Sequence, residues 1–352
     1  MLKVESLQSG QFSMVSTNQT VTITSVNLSK SILFVTARTQ NNDPGNGCST
    51  AFLENATTIR FRRDSSANNI TYEWYVIEFT AGSDIDVQRG EVTSPTELNN
   101  DVTITSVGSL SEAFPMELGC VNAGSNFGID DTSQISIPNV TTVRMFVASG
   151  QGPPDRISWQ VVQSGEIDVQ HVSQAATSST NLNATITAII DSQTSIFSSE
   201  TASGTSNIGS DSCFRHWLTS TTNLNSQRDT GAAQHTFEAY VVEWPSSVSV
   251  QKFRETTAGS GTTVNFTLSP AVDTGKTVPA PIASLDALAK QAGDGGNSLS
   301  RFSTSLEITS STNLQVVRVS GSDAVYRHVQ AIEFTDPAES DLTPVLQSSY
   351  MG

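Results

Sequence analysis

The chain has 352 residues, 18 Lys and Arg against 34 Asp and Glu, a formal charge of −16 and a pI near 4.5, which excludes a nucleic-acid backbone as the expected partner. Only 36% of residues are strictly apolar and no stretch approaches the about eighteen consecutive apolar residues of a membrane span. The opening residues, MLKVESLQSG, lack the apolar segment of a secretory leader, so a soluble chain with no membrane partner is expected.

In chain order, the first element opens on Leu7-Gln8-Ser9-Gly10. The same opener returns as Val87-Gln88-Arg89-Gly90, Val169-Gln170-His171 and Val250-Gln251-Lys252. The glutamines lie 80, 82 and 81 residues apart, the signature of tandem copies of one small module. Each opener is followed by a Thr-rich alternating strand: Val21-Thr22-Ile23, Val102-Thr103-Ile104, Ala184-Thr185-Ile186 and Val264-Asn265-Phe266. Another strand starts at Thr58, Thr142, Asn223 and Asn313. Each unit then closes on its strongest strand, Tyr72 to Phe79, Ile157 to Gln163, Phe237 to Trp244 and Arg327 to Phe334. Period-two alternation of β-branched and aromatic residues against Glu, Gln and Thr marks half-buried antiparallel strands. Ser, Thr, Asn and Gly clusters between them mark turns.

The spacing predicts an all-β chain of four tandem small antiparallel β-sandwich domains with a C-terminal extended tail. The domains are 1–83, 84–165, 166–247 and 248–335, and the tail is 336–352. About eighty residues suit a small sandwich, so the units read as beads, each with its own core. One helix is predicted, Leu285 to Ala292, with Ser284 as N-cap and Gly293 as stop. It falls in the fourth unit, where opener and closer are 78 residues apart against 66 in the first. After Phe334 alternation stops, and the tail reads as an assembly arm with Asp336, Pro337, Pro344 and Tyr350 as its contacts.

A search for chemistry yields no catalytic residue. Gly-x-Ser-x-Gly, Walker and Rossmann patterns are missing from the sequence. The four histidines, His171, His216, His235 and His328, have no metal-ligand spacing and read as surface or partly buried strand residues. Cys213 and His216, three apart, fall on opposite faces of a strand. Cys48 and Cys213 occupy equivalent places in units one and three and read as buried small hydrophobes, the alternative being a pairing of either with Cys120 or with another subunit. Glu78, Glu243 and Glu333 recur on the closing strands, with Gln163 in the second, which points to a cross-strand polar role. The calcium candidates are Asp84 and Asp86, Glu166 and Asp168, at the first two junctions. The third junction offers only Ser247 and Ser249 around Val248, so no metal or cofactor is expected. Among the tryptophans, Trp74 and Trp159 read as core, and Trp217 is the best candidate for an exposed, sugar-stacking ring, although core packing is the reading favoured for it too. With Arg215 and His216 it forms the ligand-binding candidate.

Together the opener Val87 to Gly90, the segment Val21 to Val35 read as one strand, the strand Thr57 to Arg60 and the closer Glu73 to Phe79 resemble tandem-repeat virion structural proteins of tailed bacteriophages. The modules are similar in size and strand order to the H-type lectin sandwich, a six-stranded fold that tends to trimerise. The likeness runs to Phe334 and is strongest in units one and two. It implies a non-enzymatic virion protein, made in the host bacterial cytoplasm, that decorates the capsid exterior or forms part of a tail or fibre. The implied partners are major capsid or tail proteins and copies of itself. The alternative is a carbohydrate-binding adhesin that contacts a host-surface glycan.

Overall fold

The computed structural model describes residues 1–41, 43–96, 98–122, 133–147, 154–203, 214–228, 234–255, 262–282, 303–319 and 325–335. The first module has six strands: β1 (Val4–Met14), β2 (Asn18–Thr22), β3 (Ser31–Thr39), β4 (Thr50–Asn55), β5 (Thr58–Arg62) and β6 (Ile70–Phe79). They form two antiparallel sheets, ordered β1-β6-β3 and β2-β5-β4. The second module repeats this with β7 (Asp86–Thr93), β8 (Leu98–Thr103), β9 (Ala113–Val121), β10 (Ser133–Asn139), β11 (Thr142–Val147) and β12 (Arg156–Gln163). The third uses β13 (Asp168–Ala176), β14 (Asn181–Thr185), β15 (Thr194–Ser203), β16 (Arg215–Ser220), β17 (Asn223–Gln227) and β18 (Gln234–Glu243). The fourth uses β19 (Val248–Arg254), β20 (Thr263–Thr267), β21 (Thr277–Pro281), β22 (Ser305–Ser310), β23 (Asn313–Val317) and β24 (His328–Phe334). The chain is all-β as the repeat predicts. The predicted helix at 285–292 and the tail, including Asp336, Pro337, Pro344 and Tyr350, lie outside the described residues.

The repeated glutamine has a defined job. Gln8 accepts from Thr24 N at 2.7 Å and donates to Thr24 O at 3.0 Å, fastening β1 to the turn after β2. Gln88 holds Thr105 and Gln170 holds Thr187 in the same two-pronged way, while Gln251 takes Ser269 N and Pro270 O. A carboxamide carries a donor and an acceptor on one plane, so it satisfies a peptide unit as a neighbouring strand would. That turn also breaks the segment read as one strand from Val21 to Val35: β2 stops at Thr22, and a 3-10 turn, Leu28–Lys30, precedes β3. Glu78 and Glu333 hold the same turn region, accepting from Asn27 N and Asp273 N at 2.6 Å each.

Facing positions are matched in volume. Gly10 pairs with Trp74 and Gly90 with Trp159, and a Cβ at either glycine would lie 2.8 Å from the indole. The later modules put Val172 against Ala239 and Phe253 against Val329. Where the closing strand is bulky, the opening strand is small.

Each sandwich has its own core, but the modules are not beads. A further apolar core draws Phe34 and Phe79 from the first module, Phe114 and Met116 from the second, Phe197 and Trp244 from the third and Phe334 from the fourth. Phe114 stacks on Phe197 at 4.8 Å, and Trp244 meets Phe334 edge-on at 5.4 Å. Strands β3, β9, β15 and β21 are therefore buried on both faces. In β3 the run Ile32-Leu33-Phe34-Val35 is apolar and wholly buried, as a strand covered on both sides requires, whereas β15 buries Ser195, Ser198 and Ser199 beside Ile196 and Phe197.

Around this axis each module hands a contact to the next, and the fourth returns to the first. Gln160 clasps the backbone of Leu33 in the first module, accepting from its N–H at 3.3 Å and donating to its carbonyl at 2.8 Å. Gln330 clasps Ile196 likewise, at 3.1 and 2.8 Å. At the other two junctions a tyrosine replaces the glutamine: Tyr240 accepts from Ile137 N, and Tyr75 accepts from Ile308 N, both at 3.2 Å. The register explains the alternation. Leu33, Pro115, Ile196 and Pro279 pair respectively with Val76, Val161, Val241 and Ala331, so they are equivalent edge positions. Proline has no N–H to offer a glutamine. The ring thus alternates Leu or Ile with Gln, and Pro with Tyr, giving it an approximate two-fold relation between its halves.

Candidate functional site

Strand β16 places the three candidate residues by parity. His216 and Leu218 point into the third sandwich, where His216 packs against Phe237 at 4.9 Å. Arg215 and Trp217 lie on the opposite face, against the fourth module. The Arg215 guanidinium stacks 3.6 Å over Tyr326, and Trp217 is half-buried beneath Arg254 at 3.8 Å, with the His328 ring 5.6 Å away. So Trp217 is neither core nor a bare ring: it forms one wall of a cleft between the third and fourth modules.

That cleft has a volume of about 230 Å³, and its lining includes Asp191, Trp217, Lys252, Phe253, Arg254 and His328. Lys252 is held in place by the carbonyls of Asp191 and Thr194 and by the Asp191 carboxylate at 3.1 Å. Burial lowers its pKa, and Asp191 opposes that shift. Two buried imidazoles close the base. Burial holds His216 down to about 3, with His328 beside it adding to the effect, and burial holds His328 down to about 4. His328 Nδ1 donates to the His216 carbonyl at 3.2 Å, and His216 Nδ1 lies 2.8 Å from Ser226 Oγ. Both are neutral near pH 7, so Arg254 and Lys252 are the cleft's cationic lining residues. Burial, and then the neighbouring Arg215, lowers the Arg254 pKa.

The other candidates are placed elsewhere. Asp84 accepts from Gly165 N at 3.0 Å, and Glu166 accepts from Leu2 N at 3.1 Å and pairs with the N-terminal amine. Asp86 and Asp168 begin strands β7 and β13. Among the described residues no group of three or more His, Cys, Asp or Glu is placed to hold a metal. His171 is exposed as expected and pairs with Glu238, but His216, His235 and His328 are fully buried, because strand parity turns them toward packed faces. Cys48 and Cys120 are buried in different cores, Cys120 Sγ accepting from Asn122 Nδ2 at 3.3 Å, and Cys213 lies outside the described residues. A second, polar cleft of about 420 Å³, lined by Ser13, Arg38, Asn68, Asn69 and Thr71 among others, borders the first module.

Arg254, Phe253 and Asp191 were not among the sequence candidates. The signal was present: Arg254 and Glu91 each stand three residues after their repeat's glutamine, so a charge reversal at an equivalent position separates the second module from the fourth. No family model and no curated protein matches the chain. Among the described residues no helix is long and apolar enough to cross a membrane.

Proposed function

We propose that this chain is a non-enzymatic virion structural protein of a tailed bacteriophage, made in the host bacterial cytoplasm, that decorates the capsid exterior or forms part of a tail or fibre. The observation that carries the reading is closure. Tyr75 of the first module takes the Ile308 N–H of the fourth through the contact that Tyr240 makes on Ile137, so one chain completes its own ring. The axis is filled by aromatic side chains, which leaves the rim to meet neighbours. That rim is polar, with two-pronged pairs such as Arg60–Glu54 and Arg144–Asp101 across the outer sheets. Such surfaces suit packing among repeated copies rather than uncontrolled strand addition. The partners in this reading are major capsid or tail proteins and further copies of the chain, and the arm at 336–352 supplies one docking contact.

Particles assembled without this chain, mixed with the purified protein and sedimented, are expected to carry it at a fixed ratio. Protein left wholly in the supernatant would sink the reading. Removal of residues 336–352 is expected to lower incorporation, and unchanged incorporation would remove the arm from the proposal.

One observation favours a second reading, contact with a host-surface glycan. The cleft at Trp217 joins an aromatic wall to charged groups at its rim, the usual make-up of a small-ligand site.

A further inference from the structure

We infer that the cleft between the third and fourth modules binds a carboxylated sugar ring, with Arg254 as the carboxylate anchor; this rests on the glycan reading and names its ligand class.

The argument comes from comparing this cleft with its sister junction. Phe52 on β4 and Trp217 on β16 are equivalent residues: each precedes the leucine, Leu53 or Leu218, that pairs with Ile59 or Leu224. Both aromatic rings carry an arginine, Arg62 at 5.3 Å from Phe52 and Arg254 at 3.8 Å from Trp217. At the first junction the chain also supplies the anion. Glu91 from β7 pairs with Arg62, and Arg156 Nη1 and Ser158 Oγ reach the same carboxylate at 3.4 and 3.1 Å. At the third junction the position of Glu91 is taken by Arg254 itself, and no protein carboxylate follows. Arg254 meets neither a carboxylate nor a hydrogen-bond acceptor among the described residues, whereas Arg38, Arg60, Arg62, Arg144, Arg156 and Arg327 each have a carboxylate partner.

A guanidinium centred 3.8 Å over an indole spends no N–H group on the contact, and its planar fork matches the two oxygens of a carboxylate. The arrangement at Phe52 is thus complete from within, and the one at Trp217 is completed by a ligand. The rest of the cleft indicates what carries that carboxylate. Phe253 offers an apolar wall for the C–H face of a ring. Asp191, with its side chain 61% exposed, stands as an acceptor for hydroxyl groups. Lys252 is already engaged by three oxygens, so it supplies charge rather than a free donor. The volume of about 230 Å³ suits a single ring rather than a chain of them.

The test is calorimetry of the full chain with glucuronic acid, N-acetylneuraminic acid, glucose and acetate as probes. The two sugar acids are expected to bind at least about tenfold more tightly than glucose or acetate, the worth of one charge-assisted pair. Among the described residues, Arg254→Gln breaks no hydrogen bond or ion pair and removes the ring stack. It is expected to keep the melting temperature and to bring the acids down to the level of glucose. Arg254→Lys keeps the charge without the fork and is expected to retain part of the difference. Acetate binding as tightly as the sugar acids would overturn the sugar assignment. Glucose binding as tightly as the acids, unaffected by Arg254→Gln, would overturn the carboxylate assignment and leave the glycan reading standing. Failure of every sugar to bind would remove both.

Discussion

The carboxamide of Gln160 meets both backbone groups of Leu33, 127 residues away in sequence, and seals the junction between the first two modules. The two-pronged geometry satisfies an edge strand whose outward N–H and carbonyl are buried by the ring. Gln160→Leu would leave both groups buried without a partner. It is expected to cost about 2–4 kcal/mol, read as a lower urea midpoint with an unchanged slope. Gln330→Leu should behave alike, since Gln330 holds Ile196 in the same way. A wild-type midpoint in both variants would show that the clasps add nothing.

Gly10 and Trp74 make a volume pair that can be tested by exchange. Gly10→Val drives a side chain into the indole and is expected to destabilise by about 1–3 kcal/mol or more. Adding Trp74→Ala recreates the Val172 and Ala239 pairing of the third module and should recover much of the loss. Gly82 has no atom within 4 Å of an added Cβ, so Gly82→Ala is the silent control. Equal losses at Gly10 and Gly82 in thermal melts would contradict the pairing.

The shared axial core ties the four modules into one folding unit. Calorimetry is expected to give a single transition in place of four. Trp244→Ala removes a ring that touches Phe114 and Phe334 and a bond from Nε1 to Ser195 Oγ at 2.7 Å. It should shift the whole transition, at a cost of about 3–5 kcal/mol. Separate transitions, with only one moved by Trp244→Ala, would restore the bead picture.

Stability should fall on mild acidification. Burial holds His216 at about 3 and His235 and His328 at about 4, from an ordinary 6.5. Below 6.5 the unfolded chain takes up protons that the folded chain refuses, so the stability present above 6.5 is lost as pH falls toward 4. The slope is up to about 1.4 kcal/mol per pH unit for each histidine. Glu54 and Asp101, held low by hydrogen bonds from Arg60 and Arg144, do not protonate appreciably in that window. Urea unfolding across this range should reveal the slope, and His216→Leu should flatten it by one histidine's share. A flat profile for the wild type would show that these imidazoles are not held neutral.

The reach of the sequence differs from one residue to the next. Gln8, Gln88, Gln170 and Gln251 announced the repeat, and their clamps explain why that residue recurs: each one satisfies its own module's turn, a local requirement. The second buried face was also written in the chain, as the unbroken apolar runs Ile32 to Val35 and Val76-Ile77. Reading only the alternation on the closing strands concealed it. The partners of Trp217 were not legible, because Arg254 and His328 come from another module and reach it only through the docking of two sandwiches.

By itself, then, the sequence determined the module, its all-β class and four of its six strands. These depend on side-chain period, turn residues and contacts inside about eighty residues. Tertiary structure decided that the modules close into a ring, that Leu33 answers Gln160 while Pro115 and Pro279 leave their junctions to Tyr240 and Tyr75, and that Arg254 lies on Trp217 where the sister junction supplies Glu91. The physical reason is that strand period specifies which face a residue occupies, whereas the neighbour across a junction depends on how whole faces dock.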